Sequence, residues 1–246
     1  MQGMTPGHVP LERAISKLGI ASRSQARQLI EAGKVRVDGV LRTDPHYPVV
    51  PEKVKIQIGE QSVARAAPRT FLLYKPRGVV TTLSDEKNRP TVFSLIDEPG
   101  LHLIPVGRLD LATSGLLLLT NDTRLAAWLT DPANRIRRTY LVSVRGRVTE
   151  GELDKLRAGI SDEGEALQAH EVVLRKTSEK ESHLTLHLIE GKNREIRRMF
   201  AAIGHEVTRL KRAGYGGLDL GALQPGEYRE LAEEDFDKLS AAATEV

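Results

Sequence analysis

Four consecutive leucines, Leu116 to Leu119, constrain this chain more than any other feature. A strand with one wet face alternates apolar and polar residues, whereas a continuous apolar run must be covered on both faces. The run therefore reads as a buried strand. It is also the longest purely aliphatic stretch. A membrane-spanning helix needs about 20 apolar residues, so no membrane partner is expected.

The elements around it follow from periodicity. Leu11, Ala14, Ile15 and Leu18 have helical spacing, and Gly19 stops that helix. Ser22 to Gln25 has the capping-box spacing and opens a second helix that carries Ala26, Leu29 and Ile30 inward to Gly33. Val35 and Val37 alternate as on a strand, Asp38-Gly39 signals a hairpin turn, and Val54, Ile56 and Ile58 alternate again. The polar, proline-terminated stretch 59–68 reads as a linker. Beyond it, strands are expected at Phe71–Tyr74, Leu101–Val106, Leu116–Leu119, around Tyr140–Val144 and Leu184–Leu188, and at Val207–Leu210 and Tyr228–Leu231. Helices are expected near Thr91–Ile96, at Thr123–Leu129, after the capping box at Thr149, at Ile196–Ile203 and at Glu233–Ala243. Strands and helices mix without a βαβ rhythm, which argues for α+β.

Composition excludes several chemistries. Among 246 residues there is no cysteine, which removes disulfides, thiolate zinc sites, iron–sulfur clusters and cysteine nucleophiles. No phosphate-binding glycine loop, dinucleotide fingerprint, serine elbow or HExxH pair is present. No cofactor, nucleotide cofactor or metal is therefore expected. His183 and His187 share one strand face, which suits an exposed sheet surface better than a metal site. The segment Met1–Pro10 has no secretory signature. A cytoplasmic monomer is expected.

The net charge of +3 is small, but its placement is uneven. Residues 1–66 hold ten Lys or Arg against six Asp or Glu, while residues 67–246 hold 26 against 27. Two Arg-rich strips, 135–147 and 192–212, stand out in the second part, with acids concentrated at 150–165 and in the terminal helix. This predicts a nucleic-acid-facing side opposite an acidic one. With only ten aromatic residues, recognition should lean on phosphate charge and nucleic-acid shape rather than on a stacking platform.

Three constellations carry chemistry. In Ser22–Gly39, a capped helix offers Arg23 and Arg27 one turn apart, and the following turn and strand add Lys34 and Arg36. The frame of Ile15, Gly19, Ser22, Arg23, Ala26, Leu29, Ile30, Gly33, Val35, Val37 and Gly39 resembles the small RNA-binding domain named after a small-subunit ribosomal protein, over residues 9–55. In the second constellation, PVGRLDLATSGLLLLTND, Asp110 sits between strands and close to Arg108. This string resembles the GRLDxxTxGLLLLTND signature of the RsuA/RluB family of ribosomal RNA pseudouridine synthases, and Lys75 to Thr82 resembles that family's KPxGxxTT motif. The resemblance implies that Asp110 is the catalytic aspartate and that Arg108 helps displace the target nucleotide.

The third constellation joins RRTYLVSVRG and EGKNREIRRMFAAIGHEVTRLKR, which resemble the family's tyrosine strand and its third motif, with Arg138 where Lys is common. By resemblance, Tyr140 packs on the uracil and Arg197 pairs with the catalytic Asp. On a helical wheel with Ile196 at zero, Arg197 falls about 100° away beside the apolar face, and Arg194 and Arg198 fall at about 160° and 200°. Lys75, Lys192, Asn193, Arg194 and Arg198 are expected to contact RNA.

These readings together predict an α+β protein. A small RNA-binding domain (9–58) and a linker (59–68) precede a catalytic domain (69–246) with a mixed, mostly antiparallel sheet flanked by helices. The expected activity is isomerisation of a uridine in ribosomal RNA, with large-subunit RNA favoured over small-subunit RNA by the GKNREIRRM form. A non-catalytic RNA-binding assembly factor remains the rival class. The partner in each case is ribosomal RNA or a pre-ribosomal particle.

Overall fold

The computed structural model describes residues 7–51, 53–59, 61–63, 67–83 and 85–242. The chain divides into two compact units. One takes the N-terminal segment to Thr70 with Asp97–Ile104 and Leu119–Ala126; the other takes Phe71–Ile96, Pro105–Leu118 and the chain from Ala127 onward.

The N-terminal segment forms two helices, α1 (Leu11–Lys17) and α2 (Arg23–Glu31), a two-residue pairing of Val9–Pro10 with Pro48–Val49, and a sheet of four short strands, β1 (Val35–Val37), β2 (Val40–Arg42), β3 (Ile56–Ile58) and β4 (Gln61–Val63). The strands pair antiparallel in the order β2-β1-β3-β4. The expected capping box is formed: Gln25 N donates to Ser22 Oγ, and Ser22 N donates to Gln25 Oε1. Asp38 and Gly39 both take positive φ, 51° and 82°, the backbone that lets a two-residue loop follow the strand twist. The predicted apolar residues Leu11, Ala14, Ile15, Ala26, Ile30, Val35, Val37 and Ile56 build one core. Gln61–Val63, expected in the linker, instead pairs with β3. Residues 60 and 64–66 of that stretch lie outside the described residues, as do residues 1–6 and the end of the terminal helix at Ala243.

The large sheet is built from β5 (Thr70–Lys75), β6 (Thr113–Thr120), β7 (Arg138–Arg145), β10 (Glu171–Thr177), β11 (Glu181–Leu188), β12 (Val207–Tyr215) and β13 (Tyr228–Glu230). A small hairpin, β8 (Ile160–Asp162) with β9 (Glu165–Leu167), stands apart from it. The order is β10-β11-β7-β12-β6-β5-β13. β12 runs parallel to β6, and the neighbours around β7, β11 and β13 are antiparallel. Helices α3 (Thr123–Thr130), α4 (Glu150–Ala158), α5 (Glu195–Ala202) and α6 (Glu233–Ala242) complete the α+β fold. Leu116 to Leu119 are buried along β6, as the leucine run demanded.

Three expectations change, and one unassigned segment forms strands. Leu101–Val106 contributes only the two-residue strand Ile104–Pro105, because Pro105 lacks a donor and Gly107 turns to positive φ. The helix at Thr91–Ile96 is a single 3₁₀ turn, Val92–Leu95. β12 runs five residues past Leu210, its continuation masked by Lys211 and Arg212. The segment 160–177, too charged to read, forms β8 to β10.

Candidate active site

β6 and β12 meet at a place where a side chain cannot fit. Gly115 lies opposite Arg212, and a Cβ there would stand 2.2 Å from the Arg212 carbonyl oxygen. Glycine permits this approach and its φ of +117°. The loop leading into β6 carries Asp110. Behind it, the Lys75–Thr81 segment holds the loop in place. Lys75 is fully buried, and its ammonium donates to the carbonyls of Pro76, Asp110 and Thr113 at 3.1, 3.1 and 2.8 Å. Thr81 Oγ1 donates to Leu109 O at 2.9 Å, and Gly78 N donates to Leu111 O at 2.8 Å. Burial, opposed by the Asp110 charge and assisted by Arg212, lowers the Lys75 amine to about 8. Lys75 is therefore a correction: it was expected to contact RNA, but its charge is spent on backbone carbonyls.

A cavity of about 450 Å³ opens beside this loop. Asp110, Tyr140 and Arg197 all line it, as do Arg108, Lys192, Asn193 and Arg194. Tyr140 projects from β7 and is 8% exposed, with its ring facing the same side of the sheet as the buried Val142 and Val144. Arg108 is exposed.

The ion pair of Asp110 differs from the expected one. Its partner is Arg194, with Nη1 3.7 Å from Oδ2. Arg194 precedes α5 as its N-cap, with a left-handed φ of 49°. The wheel angle that placed it opposite the apolar face therefore does not apply to it. A non-glycine residue held in that region costs about 1 kcal/mol or more, a strain commonly stored at functional sites. Arg197 donates from Nη1 to Val207 O at 3.0 Å, and its Nε is buried without a partner. Burial, and next the Arg194 charge, lower its guanidinium from the usual value, while Asp110 pulls the other way.

Arg198 is a second correction. Asp162 and Glu165 of the β8–β9 hairpin both take its guanidinium, which also donates to Asp162 O. These carboxylates raise its pKa. It fastens the hairpin to α5 and has little left for phosphate. The acids at 150–165 are correspondingly not a free acidic side, since Glu150 and Asp154 bind Arg157. Lys192 is half committed, to Glu190 and to Ala166 O, both at 2.6 Å.

In the N-terminal segment, Arg23 and Arg27 both reach Glu12, at 3.3 and 2.8 Å. The Glu12 side chain is 5% exposed while the two arginines remain 64% and 47% exposed. One buried carboxylate thus orients two guanidiniums toward solvent; Arg27, opposed by burial and assisted by Arg23, lowers its pKa. Lys34 and Arg36 are exposed on the adjoining turn and strand, and Arg36 donates to Gly39 O at 3.1 Å.

Sequence reading missed Glu12, Thr81, Glu195, Arg212 and Tyr215 as parts of these sites. For Arg212 a signal was present: it lies two residues beyond Leu210, on the same face of one strand. Glu195 is 3% exposed, and burial raises its carboxyl to about 7.

Known proteins agree with this architecture. A family model described as RNA pseudouridylate synthase matches residues 69–202, and one described as S4 domain matches residues 9–54. The chain is 41% identical over 237 residues to the ribosomal large subunit pseudouridine synthase B of Bacillus subtilis (strain 168), covering 95% of this chain and 96% of that one. It is 39% identical over 245 residues to an uncharacterized RNA pseudouridine synthase of Mycobacterium leprae (strain TN), covering 95% and 93%. A crystal structure of a pseudouridylate synthase superposes with a TM-score of 0.65 at 29% identity, covering 94% of this chain and 99% of that one. The chain belongs to the RsuA/RluB family of RNA pseudouridine synthases, with an S4 domain ahead of the catalytic fold.

Proposed function

We propose that this enzyme isomerises one uridine of ribosomal RNA, and that the RNA is that of the large subunit. The observation that carries the reading is the convergence of Asp110, Tyr140 and Arg197 on one cavity, with Asp110 on a loop stapled from behind. The likeness to a large-subunit enzyme over nearly the whole chain supports the choice of RNA.

In this reading the target nucleotide leaves its helix and enters the cavity, at a cost of a few kcal/mol that pocket contacts offset. Arg108, exposed at the rim, fills the gap left behind. Asp110 acts at the sugar, where the bond from ribose to the base nitrogen breaks. Arg194 by contact and Arg197 by proximity place positive charge beside it and orient it. Tyr140 packs on the uracil and is placed to help remove the carbon-5 proton. No cofactor takes part. Lys192, Asn193 and Arg194 at the rim, and Arg23, Arg27, Lys34 and Arg36 on the S4 domain, meet phosphate, so binding weakens with salt. Residues 9–58 act as the RNA-binding domain and 69–246 as the catalytic domain of a cytoplasmic monomer. Among the described residues no helix is long and apolar enough to cross a membrane.

Tritium release from ribosomal RNA labelled at uracil carbon-5 tests the activity. Asp110→Asn should abolish release and leave RNA affinity within a few-fold. No release by the wild type, with RNA binding intact, would favour an assembly factor. Mapping pseudouridines in RNA from a deletion strain identifies the uridine and the subunit.

A further inference from the structure

The cavity lining includes two arginines that have no ion pair among the described residues. Arg138 is 7% exposed and Arg212 is 3% exposed. They stand on the neighbouring strands β7 and β12, with Arg212 opposite Tyr140 and Arg138 opposite Tyr215. Their guanidinium carbons lie 5.5 and 5.0 Å from the Tyr215 ring centroid. That ring is anchored through its hydroxyl, which donates to Leu129 O at 2.6 Å. Arg212 Nε donates to Leu116 O at 2.7 Å, but its Nη2 has no acceptor. Arg138 Nη1 has none either. The ion pairs nearby run instead to Arg194 and Arg198. Gly191 passes beside Arg138, and a Cβ there would stand 3.6 Å from Nη1.

Buried donors without acceptors are rare because each forfeits its hydration. Arg138 Nη1 and Arg212 Nη2, with Arg197 Nε as a third, lie unpaired in one cavity and call for a ligand that brings acceptors. Depth decides which ligand. The RNA backbone meets the rim, where Arg194 keeps 55% of its side chain exposed. Only an extruded base reaches groups that are more than nine-tenths buried. A uracil ring carries two carbonyl acceptors, O2 and O4, whereas cytosine replaces O4 with an amino donor.

We propose that Arg138 and Arg212 read the uracil ring, their free N–H groups donating to its carbonyl oxygens. The inference rests on the reading that the target uridine enters this cavity. It assigns base selection to the pair, because an amino group facing a guanidinium leaves donor against donor. It also assigns them part of turnover. When the N1–C1′ bond breaks, its electron pair stays on the ring and spreads over both carbonyl oxygens. A pair from the ring then forms the C5–C1′ bond, C5 loses its proton, and N1 gains one. Donors fixed at the oxygens stabilise the charge between the two bonds.

The test uses the full chain and a ribosomal RNA fragment that the wild type modifies, made with uridine or with 4-thiouridine, whose sulfur is a weak acceptor. Tritium release is measured for wild type, Arg138→Met and Arg138→Lys, with melting curves to confirm folding. Loss of one hydrogen bond to a charged group corresponds to a drop on the order of 10- to 100-fold. Arg138→Met should show that drop on uridine RNA, and Arg138→Lys should recover part of it. Sulfur should slow the wild type by about tenfold, yet change by less than about twofold whichever of Arg138→Met and Arg212→Met, measured alongside it, has lost the donor at O4. A folded Arg138→Met with wild-type turnover, or a full sulfur effect kept by both variants, would overturn the inference. Should that variant not fold, a wild type indifferent to sulfur overturns it equally. Absence of release by the wild type on uridine RNA would overturn the underlying function instead.

Discussion

Replacing Lys75 with Met separates positioning from binding at this site. The ammonium makes three hydrogen bonds to carbonyls, at 3.1, 3.1 and 2.8 Å, and is fully buried. Hydrogen bonds to a charged group contribute about 1.5–3 kcal/mol each, so the gross loss is about 5–9 kcal/mol. Against that stands the cost of burying the charge. The amine falls from 10.5 to about 8, and at about 1.4 kcal/mol per unit the charged form is disfavoured by about 3 kcal/mol. Methionine removes that cost, which leaves a net destabilisation of about 2–6 kcal/mol.

The sign with pH is specific. A lysine whose folded pKa is depressed contributes stability that is complete above its unfolded pKa and is lost as pH falls through the folded one. Wild-type stability relative to Lys75→Met should therefore grow between about pH 8 and pH 10.5, and urea titrations across that range measure it. Turnover is the second readout. The Asp110 carbonyl loses its ammonium donor, and small misplacements of a reacting group cost about 100-fold. We expect kcat for tritium release to fall on that order with KM within a few-fold, because Lys75 has no exposed atoms to offer RNA. A folded variant with wild-type kcat would refute the positioning argument. A rise in KM with unchanged kcat would mean that Lys75 contacts RNA after all.

Gly115→Ala should unfold the sheet centre, since its Cβ would lie 2.2 Å from backbone. We expect a loss of about 3 kcal/mol or more, read by urea unfolding. Glu195 titrates near 7 when folded and at 4.5 when unfolded. Its contribution is therefore complete below pH 4.5 and lost as pH rises through about 7. Glu195→Gln should flatten the decline in unfolding free energy between pH 5 and 8. Arg198→Met leaves Asp162 and Glu165 without their partner, so limited proteolysis should cut the β8–β9 hairpin sooner, with RNA affinity unchanged. A several-fold loss of affinity would restore Arg198 to the RNA surface.

Local physics carried the reading of most elements. The capping box at Ser22, the Asp38-Gly39 turn and the leucine run each depend on neighbours within one turn or one strand, and each formed as read. Strands β8 to β10 were hidden because their exposed charges break the apolar pattern. Tyr140 and Arg197 were legible only through their motifs. Their arrival at one cavity depends on the order β7-β12-β6, which pairs residues some 70 to 100 positions apart.

The sequence alone therefore determined most element types and the cores, and singled out Asp110 as the residue proposed for the chemistry. It also located the positive charge, but not its use. Charge is counted by residue, whereas its availability depends on which carboxylates and carbonyls lie within about 4 Å, and those come from distant parts of the chain. Tertiary structure turned Lys75 inward onto three carbonyls, tied Arg198 to a hairpin and gave Asp110 to Arg194. It left Arg138 and Arg212 buried with donors unused. No local pattern distinguishes these five cations, because burial and partnership are properties of the packed fold.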